Sequence, residues 1–356
     1  MAGDLPACYG FGVGSIFKKF GNGFIFKNVI DSLSGSDVVF GNLECVLSEP
    51  THKTNYLPDL YLRGVSSFIK DLNEAGFNVL SVSNNHSLQH GIKPFYNTIK
   101  LLVKNEILPI GLKGSGSDFY CTPTIIDKNS CIIGLLSYSL IPEEYYKSET
   151  EYSQPTIQNI LQDIHSLKQK VDIVLVSLHW GDEYIGKPSF FQIKNAHSMI
   201  DAGADILIGH HPHVLQGIET YKQKIIAYSL GNFVFDMWTD ATRESIILDI
   251  QIDNKMVVGY AAIPIKINRY YQPVPLSGIE KQKILNLLNT YEYELNSFKE
   301  INYTKRYQDE LRIISKKQRM STWKHYLKNL YKFHPYAILQ IFGLVIMRRI
   351  LKKKIG

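Results

Sequence analysis

The sequence holds only four cysteines among 356 residues, and no two of them form a CxxC pair. Scattered as Cys8, Cys45, Cys121 and Cys131, they offer neither a disulfide framework nor a thiolate zinc site. They are expected to be free thiols in a reducing compartment, with Cys45 a small buried residue. The N-terminus lacks a basic stretch followed by an apolar run, so no secretory signal is visible. No segment reaches the ~20 apolar residues that span a bilayer, which makes a cytoplasmic protein the expectation. Low-complexity tracts and repeats of fixed period are also missing, which argues against disordered and solenoid classes. Nothing resembles a nucleic-acid recognition motif, so nucleic acid is not an expected partner.

What is present is apolar and evenly mixed with charge. The hydrophobic fraction of 45% over 356 residues suffices for one large domain and an appendage. The formal net charge of +6 is unevenly spread: residues 301–356 hold 14 of the 39 Lys+Arg and only Asp309 and Glu310 as acids, a net +12. The preceding 300 residues therefore carry −6. A mildly acidic body is joined to a strongly basic tail.

Along residues 37–266, strand-like runs alternate with amphipathic stretches. Strands are expected at 37–44, 77–86, 107–112, 172–181, 205–213 and 224–233, and helices at 65–76, 92–104, 154–170 and 189–204. Two hairpins are expected, at 122–140 with Lys128–Ser130 near its turn, and at 244–267 around Asp253–Asn254. Strand–helix repetition followed by late hairpins predicts an α/β protein of stacked sheets flanked by helices. From about residue 279 the pattern turns purely helical and basic. The expected division is a domain of residues 1–275 and a helical extension of residues 276–356.

Several apolar runs close on metal-binding residue types: Gly3–Asp4, GNLE (41–44), SNNH (83–86), SLHWGDE (177–183) and GHHPH (209–213). Strand ends are where α/β folds present ligands, and five such endings argue for one shared site. In an extended segment residues two apart point the same way, and Pro212 disfavours helix at His211. His211 and His213 are therefore expected to project from one face of an extended run. His179 and His86 taken singly would read as core or loop histidines, but their strand-end placement favours the site. Asp4 and Glu44 add anionic oxygen ligands, and mixed N/O ligation suits Mn, Fe or Zn better than Ca or Mg.

The segments NLE, NNH, HWGxE, GHHPHVxQGxE and YSLGNFVFD, in this order over about residues 3–266, resemble the CapA (poly-γ-glutamate capsule synthesis) family. That family lies within the calcineurin-like metallophosphoesterases. The resemblance implies that superfamily's fold, two stacked mixed β-sheets flanked by helices, and a site for divalent metal ions, expected to be two. It implies Asp4, Glu44, Asn85, His179, His211 and His213 as metal ligands and His86 as the residue that meets the substrate or leaving group. Glu183 and Asn232 fall in family motifs and are expected to act in catalysis from behind the ligands. His210 is left outside the ligand set. The chain departs from the superfamily pattern at Pro6, where a histidine is usual, and from the family pattern at Gln89, where the aspartate that would orient His86 is replaced. Neighbouring His90 could compensate.

The resemblance implies a metal-dependent hydrolase acting on a small-molecule or polymer substrate in the making or tailoring of a surface polymer such as poly-γ-glutamate. A metal-activated water serves a phosphate ester and an amide equally, so the bond is left open. A general phosphoesterase, and a non-catalytic assembly factor working with capsule-synthesis proteins, stay as alternatives. For the basic tail three readings stand: a helix lying on an anionic membrane surface, a helix packed on the domain or a dimer mate, and a binder of an anionic polymer. The uncharged run Tyr336–Met347, 12 residues long, is too short to cross a bilayer as a helix, at ~18 Å.

Overall fold

The computed structural model describes residues 13–49, 62–115, 119–146, 148–296, 300–328 and 331. The described residues begin with two short helices, α1 (Val13–Phe20) and α2 (Ile30–Leu33), then β1 (Phe40–Asn42), β2 (Val46–Leu47) and β3 (Arg63–Gly64). Next come α3 (Ile69–Glu74), β4 (Val79–Ser81), α4 (Ile92–Lys104) and β5 (Leu108–Ile110). The middle of the chain supplies β6 (Thr124–Lys128), β7 (Cys131–Ser139), α5 (Ile157–Lys168), β8 (Ile173–His179), α6 (Phe190–Asp201) and β9 (Ile206–His210). It continues with β10 (Ile218–Tyr221), β11 (Lys224–Ala227), α7 (Asp240–Arg243), β12 (Glu244–Asp253), β13 (Met256–Ile267) and β14 (Pro273–Pro275), before α8 (Gly278–Asn296) and α9 (Glu300–Lys328).

The strands form a six-stranded mixed sheet in the order β10-β11-β9-β8-β7-β6, a parallel sheet β1-β4-β5, an antiparallel sheet β12-β13-β14 and the small pair β2-β3. The first two stack face to face. Val79 and Ile110 of the parallel sheet share one core with Ile133, Leu175 and Ile206 of the large sheet, and Ile250 and Val257 of the hairpin pack on it. Every residue of β8 is buried, as a central strand covered on both faces must be. Helices α5 and α6 cover the outer face of the large sheet through Ile160, Ile164, Ala196 and Met199. Leu72, Phe95 and Leu102 of α3 and α4 cover the parallel sheet through Leu80. This is the α/β architecture of stacked sheets and flanking helices.

Local chemistry explains the boundaries. Thr156 and Ser189 each accept from the N–H three residues on, and Asn159 and Gln192 reciprocate, so α5 and α6 start in capping boxes. Both expected hairpins turn through residues of positive φ, Asn129 (53°) and Ser130 (64°) in one and Asn254 (46°) and Lys255 (64°) in the other. That backbone matches the twist of paired strands. The hairpin β10–β11, by contrast, was not expected; it turns at Lys222 and Gln223, residues with no turn signature.

The C-terminal helices pack on the body. Ile284 and Leu288 of α8 join the core beneath β10–β13, and Leu295 joins that beneath α6. In α9, Tyr307 is buried and its hydroxyl bonds Asp182, while the Tyr303 hydroxyl donates to the Pro188 carbonyl at 2.7 Å. The packed-helix reading of the tail therefore describes residues 300–328. Among the described residues, no helix is long and apolar enough to cross a membrane. Cys45, Cys121 and Cys131 are buried, and Cys8 lies outside the described residues.

Candidate metal centre

The candidate residues gather where parallel strands end. Glu44 follows β1, Asn85 and His86 lie in the turn after β4, His179 ends β8, and His211 and His213 follow β9. The pairing registers align these ends: β1 with β4, and His179 with His210 across β8–β9. The Glu44 loop is tied to the β4 end by Leu43 N–H to the Ser81 carbonyl (2.9 Å) and by Asn84 Nδ2 to the Leu43 carbonyl (2.9 Å). Sequence and glycine placement work together at β9. A Cβ on Gly209 would stand 1.9 Å from the Tyr228 carbonyl oxygen and 2.6 Å from the indole nitrogen of Trp180, which donates to that same carbonyl. The Gly before the histidines and the Trp after His179 thus belong to one close packing of β8, β9 and β11.

One expectation about this segment is corrected. Strand β9 stops at His210, and the following residues are not extended: φ is 97° at His211 and 60° at His213. The two rings reach the site from a tight turn, held by Tyr184 N–H donating to the Pro212 carbonyl at 2.7 Å. Periodicity of a strand did not bring them together; left-handed backbone did.

Glu44, His211 and His213 are buried, and one ligating atom of each lies within 4.8 Å of the others. Glu44 Oε1 is 3.6 Å from Nε2 of His213 and 3.9 Å from Nε2 of both His179 and His86. The rings of His179 and His211 stand edge to face with centroids 4.9 Å apart. His179 Nε2 lies 2.8 Å from Asn85 Oδ1, which adds Asn85 to the group. Asp4 lies outside the described residues. Glu183 is exposed and its carboxylate bonds the neighbouring Tyr184 hydroxyl; among the described residues no hydrogen bond or ion pair joins it to the cluster. His210 stands apart, its ring against Phe40.

Hydrogen bonds assign the protons. The Asn232 amide nitrogen donates to the carbonyls of His213 (3.3 Å) and Thr242 (2.9 Å), which leaves its oxygen to accept from Nδ1 of His213 at 2.9 Å. His213 therefore carries a proton on Nδ1 and turns Nε2 toward Glu44 at 3.6 Å. Similarly, Gln89 Oε1 accepts from Leu62 N–H (3.1 Å), so it also accepts from Nδ1 of His86 (2.9 Å). Gln89 thus orients His86 as the missing aspartate would have, and His90 is not needed for that role.

Burial keeps His179 and His211 neutral. It lowers His179 well below the ordinary histidine range, helped by His211, His210, His86 and His213 around it. His211 is pushed down to about 3, first by burial and then by His213 and His86. Neutral imidazole is the ligating form, so neither of these two rings must lose a proton before a cation binds.

The residues fit a divalent cation. Glu44 Oε1, His179 Nδ1 and His211 Nδ1 are buried without a hydrogen-bond partner among the described residues. An uncompensated buried carboxylate oxygen costs several kcal/mol, about 3–5 when an ion-pair partner is missing. A cation held by Glu44, His211 and His213 would satisfy the Glu44 oxygen, and Glu with two histidines is a donor set of borderline transition metals.

Three contacts escaped the sequence reading. Asn42 Nδ2 donates to Glu44 Oε2 at 3.3 Å, Phe235 lays its ring 4.7 Å from that of His213, and Tyr184 stands 6.2 Å from it. Asn42 and Phe235 lie inside the NLE and SLGNFVFD motifs and could have been singled out there. Tyr184 gave no signal.

The model of the family described as bacterial capsule synthesis protein PGA_cap matches residues 2–237. The chain is 32% identical over 301 residues to the capsule biosynthesis protein CapA of Bacillus anthracis, covering 81% of this chain and 72% of that protein. To the PGA biosynthesis protein CapA of Bacillus subtilis it is 31% identical over 283 residues, covering 78% and 74%. A crystal structure of a novel phosphatase from Mycoplasma pneumoniae matches at a TM-score of 0.43 with 13% identity, over 80% of this chain and 96% of that one, too distant a likeness to carry function.

Proposed function

Because the chain belongs to the bacterial capsule synthesis family PGA_cap, we propose that it is a metal-dependent hydrolase acting in the production or tailoring of a surface polymer such as poly-γ-glutamate. One observation carries the hydrolytic half of this reading: a buried Glu44 oxygen faces Nε2 of His213 at 3.6 Å, and Glu44, His213 and His211 each offer a ligating atom within 4.8 Å of the others. A cation held between Glu44 and the two histidines would satisfy these buried groups together.

Glu44, His211 and His213 would hold the cation, with His179 and Asn85 completing its surroundings. When bound, the metal supplies Lewis-acid polarisation of a phosphoryl or carbonyl oxygen and activates water. The remaining work falls to the chain. His86, half-buried and turned by Gln89, presents Nε2 toward the cluster, 3.9 Å from Glu44. It is placed to hold a proton there for the departing oxygen or nitrogen of the substrate. Asn232 fixes the tautomer of His213, and Asn42 fixes the second oxygen of Glu44.

The test is elemental analysis of the purified chain, with turnover measured on a panel of phosphoesters and γ-glutamyl peptides. Stoichiometric Mn, Fe or Zn with hydrolysis of one class supports the reading. Bound metal without turnover of either class would leave the family's assembly role and remove the enzymatic one.

A further inference from the structure

Along α9, a run of described side chains on one face contacts the body. Tyr303, Tyr307, Gln318, Ser321 and His325 fall on one side. The hydroxyls of Tyr303 and Tyr307 bond Pro188 and Asp182, Ser321 accepts from the Trp238 indole at 3.2 Å, and His325 stacks on that indole at 3.9 Å. Gln318 bonds the Tyr184 hydroxyl.

The outward side is not the polar surface such a helix needs in water. Ile313, Met320 and Leu327 recur every seven residues, so at 100° per residue they form one stripe, and they are 55%, 51% and 56% exposed. Trp323, also exposed, stands beside them. Arg312, Lys316, Lys317, Arg319, Lys324 and Lys328 are all exposed around this stripe. No acid lies between Leu311 and Lys328; the nearest, Glu310, is drawn to Lys187 of the body.

We propose that this face of α9 is a docking surface for an anionic lipid bilayer, lying in the membrane plane with the apolar stripe among the acyl boundary and the cations at the headgroups. Two chemistries in one stripe select this partner. A free polyanion would engage the cations and leave Ile313, Met320 and Leu327 in water. A second copy of the chain would cover the stripe but bring like charges together. A bilayer interface answers both. The sequence beyond the helix keeps the same character, an uncharged run at Tyr336–Met347 followed by RRILKKK at 348–354. Since the inward face of α9 grips Tyr184 and Trp238, and a helix is ~10 Å across, docking would hold the metal centre's rim close to the surface. This inference does not depend on the hydrolytic reading.

The experiment is co-sedimentation of the full chain with vesicles of phosphatidylcholine, with and without phosphatidylglycerol, at low and high salt. The full chain is expected to bind only the phosphatidylglycerol vesicles, less at high salt. The variant Ile313→Gln/Met320→Gln/Leu327→Gln is expected to lose about tenfold or more of that partitioning, since three apolar side chains leave the interface. Its far-UV spectrum and melting should match the parent, because only exposed positions change. A second variant, Lys316→Glu/Lys324→Glu, should weaken binding chiefly at low salt. Failure of the full chain to bind at low salt overturns the proposal. So does undiminished binding by either variant, which would transfer the attraction to residues 348–354. A parent that is dimeric, made monomeric by the triple variant and indifferent to vesicles, would assign the face to a second copy and overturn it as well.

Discussion

Asn232 accepts from Nδ1 of His213 at 2.9 Å while its own nitrogen is committed to two carbonyls, so one asparagine decides which edge of the imidazole faces Glu44. The same ring's Nε2 then confronts Glu44, and the metal reading rests on that confrontation. Asn232→Ala should leave the fold intact and weaken metal affinity about 10–100-fold, the usual cost of losing the group that orients a ligand. Titration of the chelator-stripped variant with Mn or Zn by calorimetry checks this. Affinity equal to the parent would mean that the tautomer is fixed by something else.

The ligand and proton-carrying roles should separate. His211→Ala is expected to lose bound metal, whereas His86→Ala keeps metal and loses turnover by about 10²-fold or more, the span of acid–base catalysis. His211 lies within ligand distance of Glu44 and His213; His86 reaches the cluster only at 3.9 Å and is anchored elsewhere, on Gln89. Equal metal loss in both, by elemental analysis, would merge the two roles.

Gln89 offers a finer test of His86. Its oxygen is fixed as an acceptor by Leu62 N–H and so holds the ring's Nδ1–H. Gln89→Ala should lower kcat with little change in metal content, and Gln89→Glu should restore it, because the carboxylate accepts the same bond. If Gln89→Glu is as poor as Gln89→Ala, orientation through Nδ1 is not what the residue supplies.

How much of this was legible beforehand follows from which forces act locally. Strand ends carrying Glu44, Asn85, His179 and the GHHPH histidines could be placed because buried parallel strands read as apolar runs that stop abruptly. The hairpin turns at Asn129 and Asn254 were legible because asparagine tolerates positive φ. The turn at Lys222–Gln223 was not, since neither residue favours the conformation and only pairing of β10 with β11 imposes it. The shape of His211–His213 was misread for a related reason. An extended continuation of β9 fits the sequence, but the Tyr184 N–H bond to Pro212 comes from a loop about 30 residues away in the chain and bends the segment into left-handed backbone. Gln89 was seen only as a missing carboxylate, because its acceptor role depends on Leu62, which no local pattern connects to it.

A buried carboxylate oxygen with no hydrogen-bond partner among the described residues is costly without a cation, and that cost should be measurable. Chelation should lower the melting temperature of the parent, and added Mn or Zn should restore it, by about 2.7 kcal/mol of stabilisation at a hundredfold excess over Kd. Glu44→Gln should abolish metal binding yet melt above the chelated parent, since it removes the unpaired charge while keeping the side-chain shape. A variant that melts below the chelated parent would show that Glu44 stabilises the fold without metal.

The last prediction concerns how the basic helix touches the site. Residues 300–328 pack on the body. Tyr307 is buried against Asp182, Gln318 bonds Tyr184, and His325 stacks on Trp238. Asp182 and Tyr184 belong to the loop whose Tyr184 N–H fixes Pro212, between the two histidines of the centre. Truncation before residue 300 should therefore lower stability by several kcal/mol, about 3–5 for a lost buried aromatic, and weaken metal binding as the Pro212 turn loosens. Truncation after Lys328 removes none of these bonds and should change neither. Single replacement of Tyr307 by Ala should reproduce the destabilisation, and Tyr307→Phe, which keeps the ring but not the bond to Asp182, should cost only about 1–2 kcal/mol. Melting curves and metal titrations of the four chains decide it. If truncation before residue 300 leaves metal affinity untouched, the helix supports the fold but not the turn that carries His211 and His213.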